Sequence, residues 1–373
     1  MEPVAVLGGG PAAGAAALRL ARAGMPVDLY RPGRPGEKPC GGAVPIYLAD
    51  GVSGFDPATL PAVAGPPALL ENAAGRRVEL PLEGIRVYRR RELDAALLDA
   101  AVAAGARLLP ARAERLALDA GGATVAAAGS ERRYAWVVGA DGARGLSRRT
   151  IGLPSRGESL TVGATLSGLR WERLVLSFPD AADAYLWIFP RPAGASVGVA
   201  YSRDLLSEGA ARSLLTAFLG RFLPGPLASW PGPRYRYPIP VFGPWTVPGL
   251  EAAVRRRVLL VGDAAAVADP MTREGIRFAV LTGAWAAESL LSGKAGTYPE
   301  RVAAALGEEM GRSERARELF FDDPIGQWMV PVSRFLPPVR AVLGDLLACQ
   351  QPYRGLRRRL ASAALGFGGP RRG

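Results

Sequence analysis

A four-residue apolar run, Val4-Ala5-Val6-Leu7, breaks into Gly8-Gly9-Gly10-Pro11-Ala12-Ala13-Gly14 and then into an Ala- and Leu-rich stretch reaching about residue 23. Few folds accommodate that order of strand, glycine turn and helix. In the spacing Gly8-x-Gly10-x-x-Ala13 the first glycine permits a tight turn and the second lets backbone approach a pyrophosphate. A small third residue lets the helix pack closely on the strand. Pro11 and Ala12 complete the turn and join the same candidate nucleotide-binding set. Gly24 ends the helix, and Val27–Tyr30 reads as a second strand, which completes a βαβ start of the dinucleotide-binding kind. An acid is expected at the end of that second strand to accept the adenosine ribose hydroxyls, yet the chain reads Tyr30-Arg31-Pro32. Arginine at this position also suits the 2′-phosphate of NADP, so the first motif leaves FAD and NADP open.

Composition narrows the chemistry. The 373 residues, 49% hydrophobic and 21% charged, are enough for two or three packed domains. There is no histidine, which removes His-based triads, His-ligated metals and imidazole acid–base work. Two cysteines, Cys40 and Cys349, build neither a zinc cluster nor a disulfide framework, so no metal site is expected and a cofactor must bring the chemistry. The net charge of +12 is almost wholly arginine, since Lys38 and Lys294 are the only lysines. Without clustered, aromatic-interleaved basic residues, it does not indicate a nucleic-acid partner. Residues 331–373 hold eight arginines against one acid, Asp345. The start Met1-Glu2-Pro3 passes at once into a strand pattern with no export signal, and no apolar run of eighteen residues appears, so a cytoplasmic location is expected.

Further along, residues 31–81 are rich in Pro and Gly and read as loops and short strands, after which the sheet is expected to resume at Ile85–Tyr88. A helix over 92–104 with Leu93, Leu97 and Leu98 inward, a strand over 106–109, and strands near Val125 and at Trp136-Val137-Val138 follow. Residues 155–242 alternate apolar and polar, apart from a helix near 210–223, and read as an antiparallel cap. Beyond Pro299 the pattern is helical with breaks expected at Pro324, Pro331, Pro337 and Pro338. There is no internal repeat.

Two later motifs lie at strand ends. Gly139-Ala140-Asp141-Gly142-Ala143-Arg144 follows one strand. Gly262-Asp263-Ala264-Ala265 follows the buried run Val258-Leu259-Leu260-Val261, with Asp269-Pro270 and Glu274-Gly275-Ile276 leading into an apolar helix over 274–291. Asp263 at the end of a buried strand is a charge that needs donors. Gly275 and Ile276 offer backbone N–H groups and the positive helix end to a reduced flavin's N1–O2 edge. In this order the motifs resemble the paired Asp-Gly and Gly-Asp motifs of flavoproteins with the hydroxybenzoate-hydroxylase fold, where the second aspartate accepts from the ribityl chain. That resemblance selects FAD. The fold class is then α/β, a discontinuous Rossmann-type FAD-binding domain (1–52, 84–152 and 246–298) with an antiparallel β-sheet cap or substrate domain (53–83 and 153–245). A C-terminal helical segment with a basic tail (299–373) completes it.

Lys38-Pro39-Cys40-Gly41-Gly42-Ala43-Val44-Pro45 is similar to the Cys-Gly-Gly segment of geranylgeranyl reductases, especially their chlorophyll-pathway branch. The similarity continues through Arg89-Arg90-Arg91-Glu92-Leu93-Asp94, Tyr185-Leu186-Trp187-Ile188-Phe189-Pro190 and Tyr237-Pro238-Ile239-Pro240, covering about residues 4–292. Related flavin halogenases carry a Trp-x-Trp-x-Ile-Pro run and a catalytic lysine, which this lysine-poor chain does not match. The resemblance implies FAD, reduced by NADPH or by a protein electron donor such as a separate reductase, and hydride delivery to a carbon–carbon double bond of an isoprenoid small molecule or lipid. Its implied cofactor residues are Gly8, Gly10, Pro11, Ala12, Ala13, Arg31, Cys40, Gly41, Gly42, Arg90, Asp141, Gly262, Asp263, Pro270, Gly275 and Ile276. Cys40, Tyr185 and Trp187 are its candidate catalytic residues, although a packing thiol and a sheet core are equally compatible readings. An FAD monooxygenase of the same fold and a non-catalytic flavin- or isoprenoid-binding protein are the alternatives, the latter prompted by Arg31 and by Arg273, where the family usually has glycine. Lacking an acceptor at Arg31, the chain is expected to hold FAD weakly, with Arg31→Glu tightening it. The tail Leu356-Arg357-Arg358-Arg359-Leu360 is expected to make peripheral membrane contact.

Overall fold

The computed structural model describes residues 2–365 apart from 47, 49–51, 53, 155–156, 180–182 and 322–324. The expected break at Pro324 and the last eight residues of the basic tail lie outside these. Short Val- and Leu-rich runs form a five-stranded, all-parallel sheet in the order Val258–Leu260, Trp136–Gly139, Val4–Leu7, Val27–Tyr30 and Arg107–Leu109. Helix Pro11–Arg22 follows the first strand, with Pro11 at a position where its missing N–H costs nothing. Ile85–Tyr88 is a strand as expected, but not of this sheet. It pairs antiparallel with Ala43–Pro45 and Ala62–Ala64, so a small sheet joins stretches assigned from sequence to different domains. Gly122–Ala127 likewise belongs to a separate antiparallel meander with Arg115–Asp119 and Ser130–Tyr134.

Helix Pro11–Arg22 sits between two others. A Cβ on Gly14 would come within 2.7 Å of Leu97 Cβ in helix Arg90–Ala103, and one on Gly283 within 2.4 Å of the Ala12 carbonyl oxygen. The second contact lets helix Ile276–Leu291 lie directly against the glycine turn.

The cap is a seven-stranded sheet in the order Arg234–Pro240, Glu158–Ser167, Gly194–Ser202, Ala184–Arg191, Leu174–Ser177, Ala68–Glu71 and Arg77–Leu80, antiparallel except where Leu174–Ser177 runs parallel to Ala68–Glu71. Its central strands are buried on both faces instead of alternating. Helix Glu208–Gly220 covers one face through Leu215, Phe218 and Leu219, and Val330, Val339 and Leu343 of the C-terminal helices cover the other. The C-terminal segment is therefore part of the cap. Helix Ile325–Phe335 runs through Pro331, contrary to the expected break. The Gln327 carbonyl, which that proline's missing N–H would have bonded, accepts from Asn72 Nδ2 at 2.9 Å.

Gly283→Ala is expected to lower stability by about 1–3 kcal/mol, because backbone opposes the added methyl. Gly220→Ala, whose Cβ meets nothing within 4 Å, is expected to be neutral or mildly stabilising in the same denaturant titration.

Candidate active site

The register of the parallel sheet decides which motifs meet. Leu7 pairs with Tyr30 and with Gly139, and Gly139 pairs with Leu260. The segments after these four residues leave one sheet edge side by side: the Gly8 turn, Arg31, Ala140-Asp141 and, one residue on, Gly262. Gly8 has φ +128°, and a Cβ there would lie 2.2 Å from the Ala140 carbonyl oxygen, so only glycine makes this turn. A Cβ on Gly10 would meet no protein atom within 4 Å, leaving space above the helix start.

The groove over this edge is lined by Gly8–Gly10 and by Arg31, Lys38, Arg112, Arg144 and Arg149, against the carboxylates of Asp94 and Asp141. Asp141 is turned inward, where it accepts from Ser147 N–H at 2.9 Å and from the Ser147 hydroxyl. Burial raises its pKa against those bonds. Arg31 extends over Gly9 and donates from Nη1 to the Gly9 carbonyl at 3.0 Å, while its Nε is buried without a protein partner among the described residues. Asp263 Oδ2 accepts from Lys38 Nζ at 2.7 Å. Burial opposes the ammonium, but Asp263 overrides it and raises the lysine's pKa. Asp263 Oδ1 remains toward Gly275. Of the three consecutive arginines, Arg90 is the sealed one, 2% exposed, with Nε and Nη2 on Asp94 at 3.0 and 2.9 Å.

Residues 36–42 separate this groove from a second space. Gly36 and Lys38 face the groove, whereas Cys40, Gly41 and Gly42 line an apolar cavity of about 170 Å³. Arg191, from the cap sheet, holds the segment by donating to the Cys40 carbonyl and, at 3.3 Å, to that of Gly41, and by pairing with Glu37. Ser196 Oγ adds a bond to the Cys40 carbonyl at 2.9 Å. Cys40 Sγ accepts from Gly42 N–H at 3.3 Å.

The cavity runs from Cys40 and Gly275-Ile276 between the cap sheet and the C-terminal helices, where Phe320, Met329 and Leu343 close it. Tyr185 and Phe189 line it. Trp187 does not: it is buried between them, its indole in the room left by Gly198 and bonded to Ser196 Oγ at 3.2 Å. Pro270 lines a separate cleft with Asp183 and Arg273. Ala13 is fully buried and Ala12 nearly so, as packing residues under the groove. Sequence reasoning did not single out Lys38, Asp94, Arg191 and Glu274 for the site. Glu274 was legible as the residue before Gly275, but its exposure to the cavity depends on packing from Cys349 and the C-terminal helices.

No protein-family model matches the chain. It is 30% identical over 305 residues to geranylgeranyl diphosphate reductase of Rhodobacter capsulatus, covering 77% of this chain and 74% of that protein. It is 30% identical over 311 residues to digeranylgeranylglycerophospholipid reductase 1 of Methanopyrus kandleri, covering 76% and 79%. A geranylgeranyl bacteriochlorophyll reductase-like protein from Thermoplasma acidophilum superposes with a TM-score of 0.74 over 97% of this chain and 99% of that one, at 21% identity. The p-nitrophenol 4-monooxygenase of Pseudomonas putida shares the fold at a TM-score of 0.67 and 18% identity, covering 99% of this chain and all (100%) of that one. Fold and site together define an FAD-dependent oxidoreductase. The chain belongs to the geranylgeranyl reductase family.

FAD fits the residues present: a turn that excludes Cβ, open space over Gly10, and a set of arginines suited to a pyrophosphate. The unpartnered Arg31 Nε reverses the earlier expectation for that residue, because it is a buried donor that a cofactor oxygen would satisfy, and a carboxylate there would face Asp94. Arg31→Glu and Arg31→Gln are each expected to weaken FAD binding by about 10- to 100-fold in titrations of apoprotein, matching one lost charged hydrogen bond. Tighter binding by the Glu variant would restore the missing-acceptor account.

Proposed function

We propose that the chain saturates carbon–carbon double bonds of an isoprenoid chain held in the apolar cavity. The observation that carries this reading is the continuity of that cavity with Cys40-Gly41-Gly42 and Gly275-Ile276, so that an aliphatic chain inside it reaches the flavin end of the site. Leu174, Phe189, Met329 and Leu343 offer no hydrogen bonds to a polar aromatic substrate along most of the cavity, while burying a prenyl chain contributes about 0.8 kcal/mol per methylene. The relatives named for geranylgeranyl and digeranylgeranyl substrates support the same class.

In this reading Gly8, Gly10, Pro11, Arg31 and Asp263 would hold FAD, over Ala12 packed beneath, with Gly41, Gly42, Gly275 and Ile276 toward the cavity. When bound and reduced it supplies the hydride. Cys40, fixed through its carbonyl by Arg191 and Ser196, stands between the two spaces, and Tyr185 holds its cavity wall by donating to the Thr272 carbonyl at 3.1 Å. The reductant in this reading is NADPH or a protein donor. Holoenzyme reduced anaerobically with dithionite is expected to be reoxidised by geranylgeranyl diphosphate or a prenylated lipid, with the substrate gaining two hydrogens per flavin by mass spectrometry. Reoxidation by oxygen alone, with a hydroxylated product, would establish the monooxygenase instead.

We further propose that the cavity loads at a membrane surface. No helix among the described residues is long and apolar enough to cross a membrane. Helix Ile325–Phe335, however, turns Met329 and Val330 to the cavity and leaves Trp328 and Phe335 63% and 76% exposed, with Val332 between them. Among the described residues of the basic tail, Leu360 packs inward and Arg359 bonds the Arg354 carbonyl at 2.6 Å, while Arg354, Arg357 and Arg358 are exposed. Trp328→Ser combined with Phe335→Ser is expected to reduce flotation with phosphatidylserine vesicles by about tenfold or more, given the apolar area removed. Equal recovery would exclude this helix as the contact.

A further inference from the structure

Among the described residues lining the apolar cavity, Glu274 is the one carboxyl. It stands directly before Gly275 and Ile276, which share that wall. Its Oε1 accepts from the Arg277 N–H at 2.8 Å, and its Oε2 is buried with no hydrogen-bond partner among the described residues. An ionised carboxylate half satisfied in an apolar enclosure is costly, whereas the neutral acid has an O–H to give. The groups facing it are Arg277 from its own helix, Asp269 from the preceding loop and Cys349 from the C-terminal side. Asp269 is itself engaged by Ser313 and Tyr353, at 2.9 and 3.1 Å. Burial pushes the Glu274 pKa up to about 7, with Arg277 opposing and Asp269 adding to it. The other donors near the cavity are poorer acids: the Tyr185 hydroxyl is given to Thr272, and burial drives both it and the Cys349 thiol upward.

We propose that Glu274 is the general acid of the double-bond reduction, delivering its Oε2 proton to the isoprenoid carbon next to the one that receives hydride. The proposal rests on the prenyl-reductase reading. The Oε2–H bond breaks, and the π pair of the alkene forms a new C–H bond at the less substituted carbon. The tertiary carbon, left electron-poor, accepts a hydride with its electron pair from reduced FAD. The alkene is reduced by two electrons, FAD is left oxidised, and the Glu274 carboxylate recovers a proton from water before the next turnover. The ring faces of Tyr185 and Phe189 on the cavity wall favour the developing positive charge. An acid poised near neutrality on an apolar wall matches what such a step demands.

The test compares wild-type holoenzyme with Glu274→Gln and Glu274→Asp. Glu274→Gln is expected to bind FAD and to be reduced by dithionite like wild type, but to be reoxidised by geranylgeranyl diphosphate at least about 100-fold more slowly in anaerobic single turnover. Wild type is expected to lose rate above about pH 7, with the Gln variant flat and the Asp variant retaining a limb. A second readout needs no turnover. Because the folded acid keeps its proton up to about pH 7 while the unfolded one ionises from its ordinary value of 4.5, wild type is expected to lose denaturant stability relative to Glu274→Gln as pH rises through that window, then level off. Reoxidation of Glu274→Gln within about threefold of wild type, or a stability difference that does not change with pH, overturns the proposal while leaving the reductase reading standing. If no prenyl substrate reoxidises the wild type, that reading fails and the acid role falls with it.

Discussion

The close seating of helix Pro11–Arg22 is the constraint on which the site depends. Three glycines make it possible: Gly8 turns against the Ala140 carbonyl, Gly14 admits Leu97, and Gly283 admits the Ala12 carbonyl. The last contact sets where helix Ile276–Leu291 begins, because a helix pressed against Ala12 must start beside the glycine turn. It also brings Gly262, at φ +58°, within 3.1 Å of Ala12 for any added Cβ. Placement of the Asp263 carboxylate and of the Gly275-Ile276 backbone thus follows from main-chain contacts around one helix end, where a single methyl has nowhere to go.

Around that frame the molecule separates charge from apolar surface. The groove at the sheet edge gathers arginines and Lys38, while the neighbouring cavity is walled by aliphatic and aromatic side chains. Residues 36–42 form the partition, and the cap sheet fixes it through Arg191 and Ser196. Arg191 is only 4% exposed and spends its donors on Glu37 and on two carbonyls of the partition, so its charge is matched and the loop is held without a covalent link. A ligand at the groove and a chain in the cavity would meet across Cys40.

The parallel-sheet motifs were legible because each depends on local spacing: Gly8 and Gly10 on a turn, Asp141 and Asp263 on strand ends, and Gly24, at φ +75°, on a helix stop. Helix Arg90–Ala103 was likewise readable from Leu93 and Leu97. What escaped was non-local. The burial of Gly194–Ser202 on both faces needs helices more than a hundred residues later, and Ile85–Tyr88 joins the small sheet because Ala43–Pro45 and Ala62–Ala64 flank it. Pro331 stays in its helix because Asn72, far away in sequence, takes the orphaned carbonyl. Trp187 shares strand parity with Tyr185 and Phe189 yet lies behind them, since alternation fixes a face and not the depth of a side chain on it. Lys38 was read as a scarce residue and as the start of the Cys40 segment, but not as a site residue, because its partner Asp263 is 225 residues away.

Arg273 shows how a departure from the family pattern is absorbed. It adopts φ +58°, the left-handed region where glycine is easiest. Its side chain does not enter the cavity. It is buried in an ion pair with Asp183, itself at φ +52° just before strand Ala184–Arg191, and Arg317 of helix Glu308–Phe321 reaches the same carboxylate at 3.6 Å. A strained backbone position is thereby tied to the cap sheet and to the C-terminal helices at once. The next residue is Glu274, so the clamp that offsets the cost of a side chain at position 273 also fixes the start of the segment that carries the cavity's carboxyl and the Gly275-Ile276 backbone. The Arg273 ion pair thus reinforces the wall from which that segment starts.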